Sequence, residues 1–141
     1  MVALPVIFAP SVSLPTPTSY HWKERCPVPV GSDVTIDLAV AQSFTLTVDE
    51  AVTSFTLKNA PSGATAFTLK IVQDSTGYSV GIDTFKNVGG TTIPVYWPAG
   101  GVVPEVTQTA SKTDVYSLMT FDGSNITSSG LYGVVGGQNF A

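Results

Sequence analysis

Two adjoining runs, Val34-Thr35-Ile36-Asp37-Leu38-Ala39-Val40 and Phe44-Thr45-Leu46-Thr47-Val48, decide how this chain is read. In the first, Val34, Ile36, Leu38 and Val40 alternate with Thr35, Asp37 and Ala39; in the second, Phe44, Leu46 and Val48 keep the same parity against Thr45 and Thr47. Successive side chains of a strand point to opposite faces, so an apolar residue at every second position describes a strand with one buried face. Together the runs predict one long or bent strand pair.

The same period continues toward the C-terminus. Phe55 and Leu57 follow, and Asn59-Ala60-Pro61-Ser62-Gly63 supplies a turn. From Thr65, Phe67, Leu69 and Ile71 share one face. Further strands are expected over Tyr78 to Phe85, Thr92 to Trp97, Val115 to Phe121 and Leu131 to Val135. Gly89-Gly90, Pro98-Ala99-Gly100-Gly101, Asp122-Gly123 and Gly136-Gly137 serve as the turns between them. No helical i, i+3, i+4, i+7 stripe of useful length occurs. Roughly seven or eight short strands at this spacing predict an all-β domain over residues 33–141, a single antiparallel β-sandwich or jelly-roll-like barrel.

N-terminal to the first strand the composition changes. Six of the ten prolines, Pro5, Pro10, Pro15, Pro17, Pro27 and Pro29, precede residue 30. Each proline ring fixes φ and removes a backbone donor, so residues 1–32 are expected to be an extended N-terminal arm. Leu4, Ile7, Phe8, Leu14, Tyr20 and Trp22 make it too apolar for a solvated tail. These six are the expected partner-binding residues. At about 3.3 Å per extended residue, thirty residues reach on the order of 100 Å.

Composition narrows function further. The 141 residues fit one domain, and a net charge of −4 with six scattered basic groups offers no phosphate-binding stripe. Nucleic-acid binding is therefore not expected. No apolar run approaches the roughly 20 residues of a spanning helix, and Met1 to Val12 lacks a basic residue and is broken by Pro5 and Pro10, unlike a secretory signal. Membrane attachment is not expected either. Charged residues make up only 11% of the chain, well under the roughly 25% usual in soluble domains. Such a surface suits contact with other subunits. The lone Cys26 forms no intrachain disulfide and suits assembly in a reducing cytoplasm.

A search for chemistry yields little. His21, the sole histidine, lies in the arm five residues from Cys26, where no rigid cleft orients a nucleophilic pair. The carboxylates Asp49, Glu50, Asp83, Asp114 and Asp122 show no spacing that marks a catalytic pair and read better as turn and strand-edge groups. Asp122-Gly123-Ser124-Asn125 lacks the ligands of a calcium loop and is expected to be a hairpin turn. Asn125-Ile126-Thr127 is a sequon without a secretory route. Tyr78, Tyr96, Trp97, Tyr116 and Tyr132 fit a sugar-stacking surface or, in the preferred reading, core and interface filling. No catalytic residue, cofactor or metal is expected.

Several segments carry a resemblance. They are Val34-Thr35-Ile36-Asp37-Leu38, Phe44 to Val48, Phe67 to Asp74, Val95-Tyr96-Trp97-Pro98-Ala99-Gly100, Lys112 to Gly123 and Tyr132 to Phe140. In order and spacing, residues 33–141 resemble a β-module of tailed-bacteriophage virion structural proteins, found in tail-fibre, appendage and capsid-surface proteins. The resemblance implies a non-catalytic domain working as an oligomer, commonly a homotrimer, at the virion surface. The 78–90 stretch is longer than that pattern expects, and the arm lies outside it. The shortness of the chain favours a capsid decoration (cement) protein on the major capsid protein or other virion subunits, assembled in the host cytoplasm. The runner-up is a short tail fibre, head fibre or appendage, with a host-glycan-binding surface as an option.

Overall fold

The computed structural model describes residues 24–25, 29–30 and 32–141. Among these, eleven strands form two sheets. Two short pairs come first, β1 (Glu24–Arg25) and β2 (Pro29–Val30). They are followed by β3 (Asp33–Asp37), β4 (Ser43–Val48), β5 (Ser54–Lys58) and β6 (Thr65–Gln73). Then come β7 (Phe85–Asn87), β8 (Thr92–Ile93), β9 (Val95–Tyr96), β10 (Thr113–Thr120) and β11 (Leu131–Phe140). One sheet, A, has the order β1-β4-β6-β10-β11-β9; the other, B, has β2-β3-β5-β7-β8. The all-β expectation holds.

The antiparallel expectation does not. Five pairings, β1 with β4, β3 with β5, β4 with β6, β5 with β7 and β9 with β11, are parallel. From β3 to β7 the chain alternates between the sheets, so every second strand returns beside its predecessor in the same direction. Asp33 faces Ser54, and Ser43 faces Thr68. Parallel neighbours need a long crossover; from β3 to β7 each crossover contains the strand of the opposite sheet, whereas between β9 and β11 it contains β10 of the same sheet. Antiparallel pairing is confined to β2 with β3, β7 with β8, and β10 with β6 and β11.

The predicted period sets which faces are buried. Val34, Ile36, Phe44, Leu46, Val48, Phe55, Leu57, Phe67, Leu69 and Ile71 all enter one core shared by the two sheets. Within it Phe55 stacks on Phe85 at 5.0 Å, and Phe67 of sheet A meets Phe85 of sheet B at 6.4 Å. Rings thus tie the sheets together.

Other local expectations are revised. Tyr78 to Phe85 is not a strand: only an isolated bridge, Val80 to Val52, precedes β7. Buried Gln73 holds this loop, donating to the Tyr78 and Thr107 carbonyls and accepting from the Tyr78 N–H. Thr92 to Trp97 is split by Pro94 into β8 of one sheet and β9 of the other. Gly136-Gly137 is no turn but lies inside β11, where the register shifts opposite Val115 and the Phe140 ring rests on Gly137.

Residues 123–129 also depart from the hairpin expectation. A short helical segment forms there, opened by Asp122, whose carboxylate accepts from the Ser124 N–H and from the Asn125 amide. Gly123 donates to the Gly63 carbonyl at 3.0 Å, and a β-carbon at 123 would collide with the Pro61 carbonyl oxygen. The neighbour is backbone and cannot rotate away. Gly123→Ala is expected to lower stability by about 1–3 kcal/mol, read from the midpoint of urea unfolding.

Most of the arm, with Leu4, Ile7, Phe8, Leu14, Tyr20, His21, Trp22 and Cys26, lies outside the described residues. Its described ends pair with the domain: β1 edges sheet A and β2 edges sheet B. Pro29 at a sheet edge fits the missing N–H donor.

Candidate interaction surface

The outer faces of the two sheets differ in chemistry. Sheet B turns Asp33, Thr35, Asp37, Ser54, Thr56, Lys58 and Lys86 outward, by the alternation that buries Val34, Ile36, Phe55, Leu57 and Phe85. Asp33 accepts from Ser54 Oγ at 2.6 Å and Thr56 Oγ1 at 2.9 Å, and pairs with Lys86 Nζ at 3.4 Å. Burial pushes its pKa up, but these hydrogen bonds and the Lys86 charge outweigh it, and the net shift is downward. This face is polar, and its two carboxylates, Asp33 and Asp37, are bonded within the chain.

Sheet A is different. On β10 the inward set is Asp114, Tyr116, Leu118 and Thr120, which leaves Ser117 and Met119 outward, followed by Phe121. On β11, Leu131 and Gly133 point inward while Tyr132 and Val134 point out. Register places Met119 beside Tyr132, Tyr132 beside Tyr96, and Ser117 beside Val134. Tyr96 and Tyr132 meet at 5.1 Å, and Phe121 meets Tyr132 at 5.4 Å. All three rings stay substantially exposed, with Phe121 at 64%. Among the described side chains on the outward positions of these strands, Lys70 is the sole charge.

Two glycines hold the cluster in place. The Trp97 ring lies against Gly133 where any side chain would collide, and its edge meets Tyr116 at 6.2 Å. Buried Trp97 thereby locks β9 beside β11, which fixes Tyr96. Gly130, at φ +74°, admits the Tyr96 ring and Pro94, both within 2.8 Å of where a β-carbon would stand. Its N–H closes the helical segment on the Ile126 carbonyl. The five sequence-selected aromatics therefore divide: Tyr96 and Tyr132 form the exposed cluster, Trp97 and Tyr116 are core, and Tyr78 is partly buried against the core.

The carboxylate candidates are spread among separate duties. Asp49, Glu50 and Asp83 are exposed in loops, and Asp122 caps the helical segment. Asp114 is buried. Its oxygens accept from the Thr107 N–H at 2.7 Å, the Asn139 N–H at 2.8 Å, and the Tyr116 hydroxyl at 3.0 Å, and Gln138 Nε2 bonds the same hydroxyl at 2.8 Å. Burial alone would raise the Asp114 pKa, but the Thr107 and Asn139 N–H groups outweigh it and hold the carboxyl below its ordinary value. Burial, with the neighbouring Asp114 carboxylate, pushes the Tyr116 phenol well up. The group clamps the 105–107 loop and the end of β11 onto β10. Among the described residues, no group of three or more His, Cys, Asp or Glu is placed to hold a metal.

Phe121 and Met119 were missed in the sequence. Their signal was present, since residues 115, 117, 119 and 121 continue one face of β10. No family model, curated protein or solved structure matches this chain.

Proposed function

We propose that this protein is a non-enzymatic virion structural protein, a capsid decoration protein that binds and stabilises the outer surface of a bacteriophage head. The domain is read as a wound β-sandwich that associates as a homotrimer, and the arm as its anchor on major capsid or neighbouring subunits. The observation that carries this is the charge-poor outer face of sheet A with its exposed Tyr96, Tyr132 and Phe121 cluster. A depleted charge and a central group of aromatic residues are the marks of a protein-contact surface. The resemblance of residues 33–141 to phage structural modules supplies the setting.

A second reading, a short tail or head fibre with a glycan-binding surface, is favoured by the same rings, since sugars stack on exposed aromatics. The two separate by where the protein goes. Purified protein is expected to bind heads lacking it, saturating at hundreds of copies, and to raise the temperature at which those heads release DNA. Saturation at a few copies on the tail would support the fibre reading instead, and binding to neither would remove both.

A further inference from the structure

We infer that the outer face of sheet A around Tyr96, Met119, Phe121, Tyr132 and Val134 is the contact between copies of this chain. This rests on the assembly part of the function proposed above and names the surface that performs it.

Area comes first. Tyr96 is 46% exposed, Tyr132 43% and Phe121 64%. With roughly 150–250 Å² per aromatic side chain, the rings alone expose about 300 Å² of contiguous surface. Met119 at 41% and Val134 at 55% extend it. That is the scale of the largest apolar patch a monomer carries, which is often functional. It also suits the apolar centre of an interface of about 800 Å² per partner, with Ser117, Thr68 and Ala66 beside it as a rim.

Charge selects the occupant. Each copy carries −4, so two copies repel wherever carboxylates meet. Sheet B would bring Asp33 and Asp37 against another copy's polar face. The outward strand positions of sheet A hold no described carboxylate, so here alone the two sheet faces can meet themselves without like negative charges. The aromatic centre of this face holds no charge, so copies related by a closed symmetry axis bring no like charges together there. A sugar would need several directed hydrogen-bonding groups beside the rings; the Ser117 and Thr68 hydroxyls there face each other at 3.5 Å, and Met119, Val134 and Ala66 supply none.

Sedimentation equilibrium of the full chain tests this. The wild-type protein is expected to sediment above monomer mass, and Met119→Glu with Tyr132→Glu to weaken association at least ~100-fold, because the contact would bury unpaired carboxylates. Circular dichroism should remain unchanged. Phe121→Ser, at an exposed position beyond the end of β10, is the second variant should the pair disturb folding, and should also weaken association. Thr35→Glu on sheet B should leave the mass as in wild type. A monomeric wild type, or face variants that associate as wild type does, would overturn the inference. So would association lost on deleting residues 2–23 but retained by the face variants, which would make the arm the contact. Failure here leaves head binding unaffected, and failure of head binding leaves self-association unaffected, so the two proposals are separately decided.

Discussion

Asp114→Ala is expected to cost the fold about 3 kcal/mol, measured as a fall in the urea unfolding free energy with an unchanged slope. The carboxylate is 1% exposed and is the shared acceptor of the Thr107 and Asn139 N–H groups and the Tyr116 hydroxyl. Removing it leaves four donors without this acceptor, the Thr107 and Asn139 N–H groups, the Tyr116 hydroxyl and, at 3.3 Å, Gln138 Nε2, each worth roughly 1–3 kcal/mol where water cannot replace it. Thr107 and Asn139 are near enough to solvent to recover part of that loss. The Tyr116 hydroxyl retains Gln138 as its other neighbour. Asp114→Asn, which keeps one accepting oxygen, should lose less.

Acid sensitivity follows with a definite sign. The folded-state pKa of Asp114 lies below the ordinary carboxyl value of 3.8. Its stabilising contribution is therefore complete above that value and is lost as pH falls through the lower, folded pKa. Asp33 contributes in the same direction, more weakly because it is half-exposed and screened. Unfolding free energies measured between pH 7 and pH 2 should fall mainly below about pH 3.8, and the fall should be shallower in Asp114→Ala. An equal slope in both proteins would show that Asp114 does not carry it.

Deleting residues 2–23 is expected to leave a folded β-domain but reduce binding to heads lacking the protein by at least ~100-fold. The cut is placed before Glu24 because Glu24–Arg25 pairs with β4 and Pro29–Val30 with β3, so these two strands belong with the domain edges. The removed segment contains Leu4, Ile7, Phe8, Leu14, Tyr20 and Trp22. Each large side chain contributes roughly 1.5–3 kcal/mol on burial, offset by the cost of ordering the chain, which prolines reduce. Trp22→Ala should show about a tenfold part of the loss. Binding of the truncated protein as tight as that of the intact chain would remove the arm as the anchor.

Which faces are buried was legible in the sequence, because the period of two acts through side-chain geometry alone. Val34, Ile36, Phe44, Leu46, Phe67 and Leu69 are all core. Val40, however, is 48% exposed, because β3 ends at Asp37 and the turn that follows carries the chain to β4 in the other sheet rather than into a pair with it. Strand direction was not legible, since one-sided burial writes the same alternation into parallel and antiparallel strands. Half-buried strands are commonly antiparallel, but here winding between two sheets gives each parallel strand one core face and one outer face. The glycines misled for a related reason. Gly136-Gly137 has the composition of a turn, yet its freedom is used to seat Phe140 inside a strand, a contact that sequence spacing does not reveal.

The candidate surface was half legible. Tyr96 and Tyr132 stood out as strand aromatics, but so did Trp97 and Tyr116, and only the register of β9 on β11 separates ring from ring. Phe121 joins them because Thr120 turns inward and the strand's parity continues one residue past its end. The Asp114 clamp was invisible because its partners, at 107, 138 and 139, are distant in the chain and two of them are backbone groups.

Imaging intact virions at subnanometre resolution, with copy number from quantitative mass spectrometry of the same particles, tests the central claim most directly. The expected result is hundreds of copies per particle, arranged over the junctions between major capsid subunits with sheet A faces turned toward one another. A protein absent from purified particles, or present in only a few copies at the tail, would contradict it.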